Sequence, residues 1–312
     1  MVSGGPGAFR HEALFYRGQA ELLDHLVPFL REGARSGDAM LVVLPQVKND
    51  ALARALGPDD ASLVTFADMG EVGANPARII PAWRWFVDAH TGTGRPLRGV
   101  GEPIGPQRSG AELHECHRHE ALLNVAFADT DVDFQLVCPY DLEAVPAEVA
   151  DEALRTHPVV RGAGDSAHYA PVDVRAPFAT SQLDDAPPTA QLFAFDATSL
   201  AAARAFLRRF ADSVLLDPFC VDDLVLAVNE IATNSLQHGG GRGELLVWDQ
   251  DGALVCEVRD TGLIDEPLIG RICPPNDHER GRGHWIANQI CDLVQVRSSA
   301  AGTAVRLHMR HA

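Results

Sequence analysis

The sequence predicts an α/β protein of two domains in series, and three observations carry that prediction. In the first half, short β-rich runs alternate with helical patterns. Around residue 180 the periodicity lapses into a stretch rich in Pro, Ala, Asp and Ser. The second half then has a different rhythm, two long helical patterns followed by a strong hairpin signal. With 312 residues, the chain is long enough for two ordinary hydrophobic cores.

The strands of the first half are read at "MLVVLP" (40–45), "SLVTFAD" (62–68), "LRGVGEP" (97–103) and "DFQLVCPYD" (133–141). Several are nearly continuous in apolar residues, as expected of strands buried on both faces of a parallel sheet. The helical patterns between them, from "QAELLDHLVPFLREGARSG" to "ELHECHRHEALLNVAFAD", supply the crossovers that parallel strands require. Residues 1–165 are therefore assigned to one domain, 166–190 to a linker and 191–312 to a second domain.

In the second domain one strand, "QLFAFD", leads into helical patterns at 198–214 and 219–238. "GELLVWDQDGALVCEVRD" then reads as two strands joined at Asp251-Gly252, a favoured hairpin pair. A Gly- and Pro-rich loop (262–282), the helix "GHWIANQICDLV" and the strands "VQVRSS" and "TAVRLHMR" complete the chain. Helices on an antiparallel-rich sheet make an α/β sandwich.

The bulk numbers limit function. A net charge of −17 argues against direct nucleic-acid binding, which rests on cationic neutralisation of phosphates. The six cysteines include no C-x-x-C pair, and those in apolar runs read as reduced and buried. No apolar run reaches the roughly 20 residues of a membrane span, and no secretory signal is visible. The expectation is a cytoplasmic protein with no membrane partner.

Glu230, Asn234 and His238 stand at i, i+4 and i+8 in "LAVNEIATNSLQHGGGRGE", so they share one helix face. Taken alone, such a stripe is more often the solvated side of an amphipathic helix. Two later segments add chemistry. "VRDTG" places Asp260 and Gly262 at the end of an apolar strand, where a buried carboxylate needs a partner. "ERGRGHWIANQ" opens a helix with Gly281 and Gly283, letting backbone N–H groups approach an anion. Arg280 and Arg282 beside them are cationic donors for phosphate.

In this order the three segments resemble the N, G1 and G2 boxes of the GHKL (histidine-kinase-like) ATPase superfamily, and above all its anti-sigma-factor serine kinases. The resemblance runs from about Leu192 onward and implies a Bergerat-type α/β sandwich that binds ATP and Mg²⁺. It implies that Asn234 is the Mg²⁺ ligand, since a neutral oxygen suits a hard cation, and that Glu230 is the acid/base carboxylate. Asp260 would accept from the adenine amino group, and Gly262 would let the base lie near the backbone. Gly281 and Gly283 would cap the phosphates beside Arg280 and Arg282, residues 263–280 would form a lid, and His238 would lie near the phosphates. The boxes depart from the pattern in two places: "DTGLI" lacks a second glycine, and His284-Trp285 replaces a Leu-Gly or Leu-aliphatic pair. No dimerisation helix with an embedded phospho-acceptor histidine is recognisable, which disfavours a histidine kinase proper.

The first half contains no G-x-x-x-x-G-K-[ST], so it is not read as a P-loop NTPase. Its segments "RHEALFYRGQAELLDHLVPFLREG" (10–33), "GEPIG" (101–105), "HEALLN" (119–124) and "LVCPYD" (136–141) resemble the MEDS sensory domain. That resemblance implies a RecA-like parallel α/β module that senses a small molecule. His11, Tyr16, Glu102, Glu120 and Tyr140 are its candidate ligand or signalling residues, with packing or capping as the alternative for each. His114, Cys116, His117 and His119 in "HECHRHE" fall on different helix faces and do not make a convergent zinc site. The whole is read as a sensor whose ATP·Mg²⁺ domain phosphorylates a Ser or Thr of an anti-sigma antagonist (STAS-type) partner, or sequesters a sigma factor. The alternatives are a non-catalytic, ATP-dependent binding switch and a two-component histidine kinase; homodimerisation is left open.

Overall fold

A computed structural model describes residues 8–174, 176–178, 183–274 and 282–311. The chain divides into two units, Met1–Val172 and Asp173–Ala312. The expected pair of α/β architectures is formed, one around a parallel-rich sheet and one around a separate antiparallel sheet.

The first unit runs β1 (Phe9–Tyr16), α1 (Gly18–Ser36), β2 (Ala39–Leu44), α2 (Gln46–Leu56), α3 (Pro58–Ala61), β3 (Val64–Asp68), α4 (Met69–Val72), α5 (Ile79–His90), β4 (Leu97–Gly101), α6 (Gly110–Ala126), β5 (Phe134–Asp141), α7 (Ala147–Thr156), β6 (Val159–Val160) and β7 (Gly164–Asp165). The sheet order is β3-β2-β4-β5-β1-β6-β7, parallel except for the β6–β7 pair. All six residues of β2 are buried, in accord with its unbroken apolar run. Leu14, Tyr16 and Val42 pack with Leu26, Phe29 and Leu30 of α1 on one face. On the other, Trp83 of α5 and Phe127, just past α6, meet Phe134. A serine–glutamate capping box at Ser109 and Glu112 starts α6, so the box satisfies backbone donors at the helix end.

Strand β1 has only a short apolar run, Ala13–Tyr16, and is not among the predicted strands. Its sequence "FRHEALFY" holds Arg10, His11 and Glu12, which hide the strand signal, yet it lies inside the sheet between β5 and β6. Buried Glu12 is matched by Gln135 at 2.5 Å and Arg161 at 2.8 Å. Buried polar groups so paired lose their desolvation penalty, and β1 becomes an interior strand. Helix α7 is likewise absent from the sequence expectation.

The second unit runs β8 (Gln191–Asp196), α8 (Leu200–Ser213), α9 (Pro218–His238), β9 (Arg242–Gln250), β10 (Ala253–Asp260), α10 (Gly283–Ile290), β11 (Leu293–Ser299) and β12 (Gly302–Arg310). Its order is β11-β12-β10-β9-β8, antiparallel throughout. The predicted hairpin forms with both turn residues at positive φ, 53° at Asp251 and 74° at Gly252, as a type I′ turn requires. The helix predicted over "GHWIANQICDLV" is shorter: it stops at Ile290, Cys291 is extended, and Leu293 and Val294 are already in β11. Leu207, Leu224, Val228 and Ile231 of the helices pack with Val247, Leu254, Cys256 and Leu307 of the sheet.

The opposite sheet face is covered by part of the stretch expected as a linker. Ala186 and Ala190 pack against Leu246, Trp248 and Val255, and Arg306 donates to the Asp184 carbonyl at 2.6 Å. The Arg306 guanidinium also lies over Trp248 and bonds fully buried Glu257 at 2.7 Å through Nε. Glu257→Ala would leave that cation buried without its counter-charge. It is expected to destabilise the second unit by about 3–5 kcal/mol, read as a lower urea midpoint at unchanged slope.

Candidate functional site

Helix α9 starts at Pro218, with Asp217 capping the Phe219 amide at 2.9 Å. Val221, Leu224, Val228, Ile231 and Ser235 form its buried side. Glu230 and Asn234 sit half-buried at the margin of that side, and His238 is exposed at the helix end. The stripe thus lies between core and solvent.

Two glycines set what the stripe faces. A Cβ on Gly283, the first residue of α10, would stand 2.7 Å from Asn234 Nδ2 and 3.3 Å from Glu230 Cβ. Only glycine lets the start of α10 lie directly on α9 there. A Cβ on Gly239, just past α9, would stand 2.6 Å from Asp260 Oδ1. The helix ends on glycine because the carboxylate at the end of β10 occupies that space.

Asp260 accepts a hydrogen bond from Ser235 Oγ at 2.5 Å and from the Gly262 amide at 2.7 Å. A relay of hydroxyls fixes the following loop. The Ile264 amide donates to Ser298 Oγ at 2.8 Å, Ser298 and Thr303 hydroxyls bond at 2.7 Å, and Thr303 donates to the Gly262 carbonyl at 2.9 Å. Together these groups wall a cleft of about 230 Å³, lined by Asn234, His238, Asp260, Gly262, His284 and Thr303, with Ile231, Ile264, Ile269 and Val305 supplying apolar surface.

His284 is buried, with Nδ1 3.4 Å from Asn234 Nδ2. Burial pushes its pKa down to about 4 against the weaker pull of Asp260, so the ring is neutral at pH 7. Its Nε2 has no hydrogen-bond partner among the described residues.

The site residues expected from sequence are therefore brought together in two groups, Glu230 with Asn234 and Gly283, and Asp260 with Gly262. Arg282 is half-buried at the N-cap of α10. Arg280 and Gly281 lie outside the described residues, as does part of the expected lid, 275–280. Ser235, Ser298 and Thr303 carried no signal in the sequence, and His284 stood out only as a departure from the box pattern. The donor set fits ATP and Mg²⁺: a neutral carboxamide beside a carboxylate suits an oxygen-seeking cation, and a carboxylate with spare acceptor capacity faces an apolar-walled cleft.

In the first unit the candidates fall into two clusters. Tyr16 donates to Glu102 at 2.8 Å, and Lys48 reaches both, at 2.6 Å to each. Tyr16 ends β1 and Glu102 follows β4, so this triad lies at the carboxyl edge of the strands, where open α/β sheets bind ligands. Burial pushes the Glu102 carboxyl up, opposed by Lys48 and the Tyr16 hydroxyl. His11 and Glu120 form the other cluster with Cys138 and His157, all fully buried or nearly so. Burial pushes His11 down to about 4, aided by His157. Burial alone would raise Glu120, but the two imidazoles hold it well below the usual carboxylate range. Tyr140 is buried edge-on to His157, its hydroxyl without a hydrogen-bond partner among the described residues. Lys48, Cys138 and His157 carried no local signal in the sequence.

The second unit is a five-stranded antiparallel sheet with helices on one face and a cleft lined by Asn234, Asp260 and Gly262 at one end. Residues 193–309 match the model of the histidine kinase-like ATPase domain. Residues 10–158 match the MEDS family, described as the methanogen/methylotroph, DcmR sensory domain. The chain therefore joins a MEDS sensory domain to a histidine kinase-like ATPase domain. Among solved structures it is similar to the RsbU and RsbW domains of Rv1364c from Mycobacterium tuberculosis, at 20% identity and a TM-score of 0.30, over 40% of this chain and 33% of that one. The chain thus spans about a third of that structure's length. No curated protein matches it significantly in sequence. Among the described residues no helix is long and apolar enough to cross a membrane.

The neutral, buried state of His284 has a pH consequence. Its folded pKa of about 4 lies below the ordinary histidine value of 6.5, so the unfolded chain binds the proton more readily. Stability tied to this residue is complete above pH 6.5 and is lost as pH falls toward 4. His284→Leu is expected to remove up to about 3 kcal/mol of that acid-side loss, measured by urea unfolding of both proteins across the window.

Proposed function

We propose that this chain is a regulatory protein kinase. Its second domain binds ATP·Mg²⁺ and phosphorylates a Ser or Thr of an anti-sigma antagonist-type partner, under control of the first domain. The observation that carries the reading is Asp260, held by Ser235 and the Gly262 amide at the mouth of a cleft shared with Asn234. In that position the carboxylate accepts a hydrogen from an exocyclic amine at C6 of a purine, which adenine has and guanine lacks.

Asn234 is the residue that would hold Mg²⁺, whose chemistry is to neutralise phosphate charge. The N-terminus of α10, with Arg282 beside it, favours the anionic phosphates. Glu230 takes the proton as the acceptor hydroxyl oxygen bonds to the γ-phosphorus and the bond to the β-phosphate oxygen breaks, releasing ADP. Most of the rate then comes from position and charge stabilisation. The Tyr16–Lys48–Glu102 triad at the carboxyl edge of the first sheet is where we place the small molecule that controls the kinase.

The contact between His284 and Asn234 favours a second reading, in which the domain binds nucleotide only to shape a protein interface. The two separate in one experiment, with γ-labelled ATP, the chain and a candidate antagonist. Glu230→Ala is expected to keep ATP affinity within a few fold while cutting label transfer roughly 10²–10⁴-fold. ATP binding with no label on any partner supports the interface reading, and acid-labile label on the chain itself supports a histidine kinase. Asp260→Asn is expected to weaken ATP by about 10–100-fold and to erode the preference over GTP. Titration calorimetry reads both, and an unchanged ATP affinity would remove the adenine assignment.

A further inference from the structure

His11 on β1, Glu120 on α6, Cys138 on β5 and His157 just past α7 send one donor atom each to a common point, all within 4.8 Å of one another. His11 Nε2 lies 3.1 Å from Glu120 Oε2 and 3.3 Å from Cys138 Sγ, and His157 Nε2 lies 3.3 Å from the same carboxylate oxygen. Donors on a tetrahedron around Zn²⁺ stand about 3.3–3.8 Å apart, given bonds of about 2.0–2.3 Å. The three separations are close to the edges of that tetrahedron.

The surrounding hydrogen bonds fix which ring nitrogens face the centre. Asn124 Nδ2 donates to the Thr156 carbonyl at 2.8 Å, which turns its amide oxygen toward His11 Nδ1 at 3.2 Å. The only hydrogen available to that contact is on His11 Nδ1. His157 Nδ1 faces the Ala153 carbonyl at 2.9 Å, so it too must donate. Each ring thus has Nδ1 committed to an outer acceptor and Nε2 aimed at Glu120. Outer partners that hold Nδ1–H in this way are the usual support of a metal-bound histidine. Glu120 Oε1 also has no hydrogen-bond partner among the described residues, despite complete burial.

We propose that these four residues form a closed divalent-metal site of the zinc class. Two imidazoles, a thiolate and a carboxylate in four-fold array match the borderline softness of Zn²⁺ and exclude Mg²⁺ or Ca²⁺, which seek oxygen ligands. With four protein donors the site leaves no open position for substrate. The metal ties β1, β5, α6 and the end of α7 together, so loading it sets the packing of the sensory domain.

The test uses the untagged full chain, purified without chelator, for metal analysis and then loading with Co²⁺. The expected result is one equivalent of zinc per chain. The Co²⁺ form should show thiolate charge-transfer and intense tetrahedral visible bands, which Cys138→Ser abolishes and Cys116→Ser keeps. Asn124→Ala, which contacts His11 at Nδ1 and no coordinating atom, should weaken zinc by about 10–100-fold. Failure of the wild-type chain to hold stoichiometric metal overturns the proposal, as does a weak six-coordinate Co²⁺ spectrum. Thiolate bands that persist in Cys138→Ser overturn it equally. The wild-type spectrum decides the matter even if a variant fails to fold.

Discussion

The candidate nucleotide site depends on one carboxylate being held still. Asp260 ends a buried strand, and its two oxygens accept one hydrogen bond each, from the hydroxyl of Ser235 and the amide of Gly262. The first bond ties α9 to β10, and the second turns the chain out of the sheet. Because the carboxylate fills the space beside the end of α9, residue 239 has to be glycine, and the helix has to stop. The loop leaving Asp260 is then pinned by Ser298 and Thr303 from the last hairpin. Remove the carboxylate and the end of the helix, the turn and the cleft wall lose their common anchor.

The sequence made the second unit easier to read than the first, for a physical reason. Glu230, Asn234 and Asp260-Gly262 are polar groups placed where periodicity calls for core or core margin, and that conflict is visible without coordinates. The tertiary reason for Gly239 and Gly283 is not, because it depends on what approaches them across the fold. Ser235 and Thr303 were equally hidden, since a lone hydroxyl near a helix end or in a hairpin is ordinary. In the first unit, the polar residues of β1 masked an interior strand because their partners, Gln135 and Arg161, lie far along the chain. Cys138 and His157 were invisible as companions of His11 for the same reason.

The two polar clusters of the first unit lie on opposite faces of its sheet. Tyr16, Lys48 and Glu102 stand at the carboxyl edge of the sheet, with Tyr16 and Glu102 buried and Lys48 partly exposed. His11, Glu120, Cys138 and His157 lie beneath the opposite face, sealed from water. Tyr140 touches His157 and, through Phe15 beside it, the strand that carries Tyr16. Rings thus pack continuously from the strand of Tyr16 to the buried group.

The place of β1 in its sheet also bears on how the protein is made. The strand pairs Phe9 with Phe134 and Ala13 with both Cys138 and Val160. Its partners emerge from the ribosome more than a hundred residues later, so the central gap of the sheet stays open through most of the domain's synthesis. Strands β2, β3 and β4 can associate early, but the closing strand waits. Long-range pairing of this sort slows folding and leaves unpaired edges exposed meanwhile. Arg10 and Glu12 put charge on that waiting strand, and charge on an unpaired strand opposes edge-to-edge association.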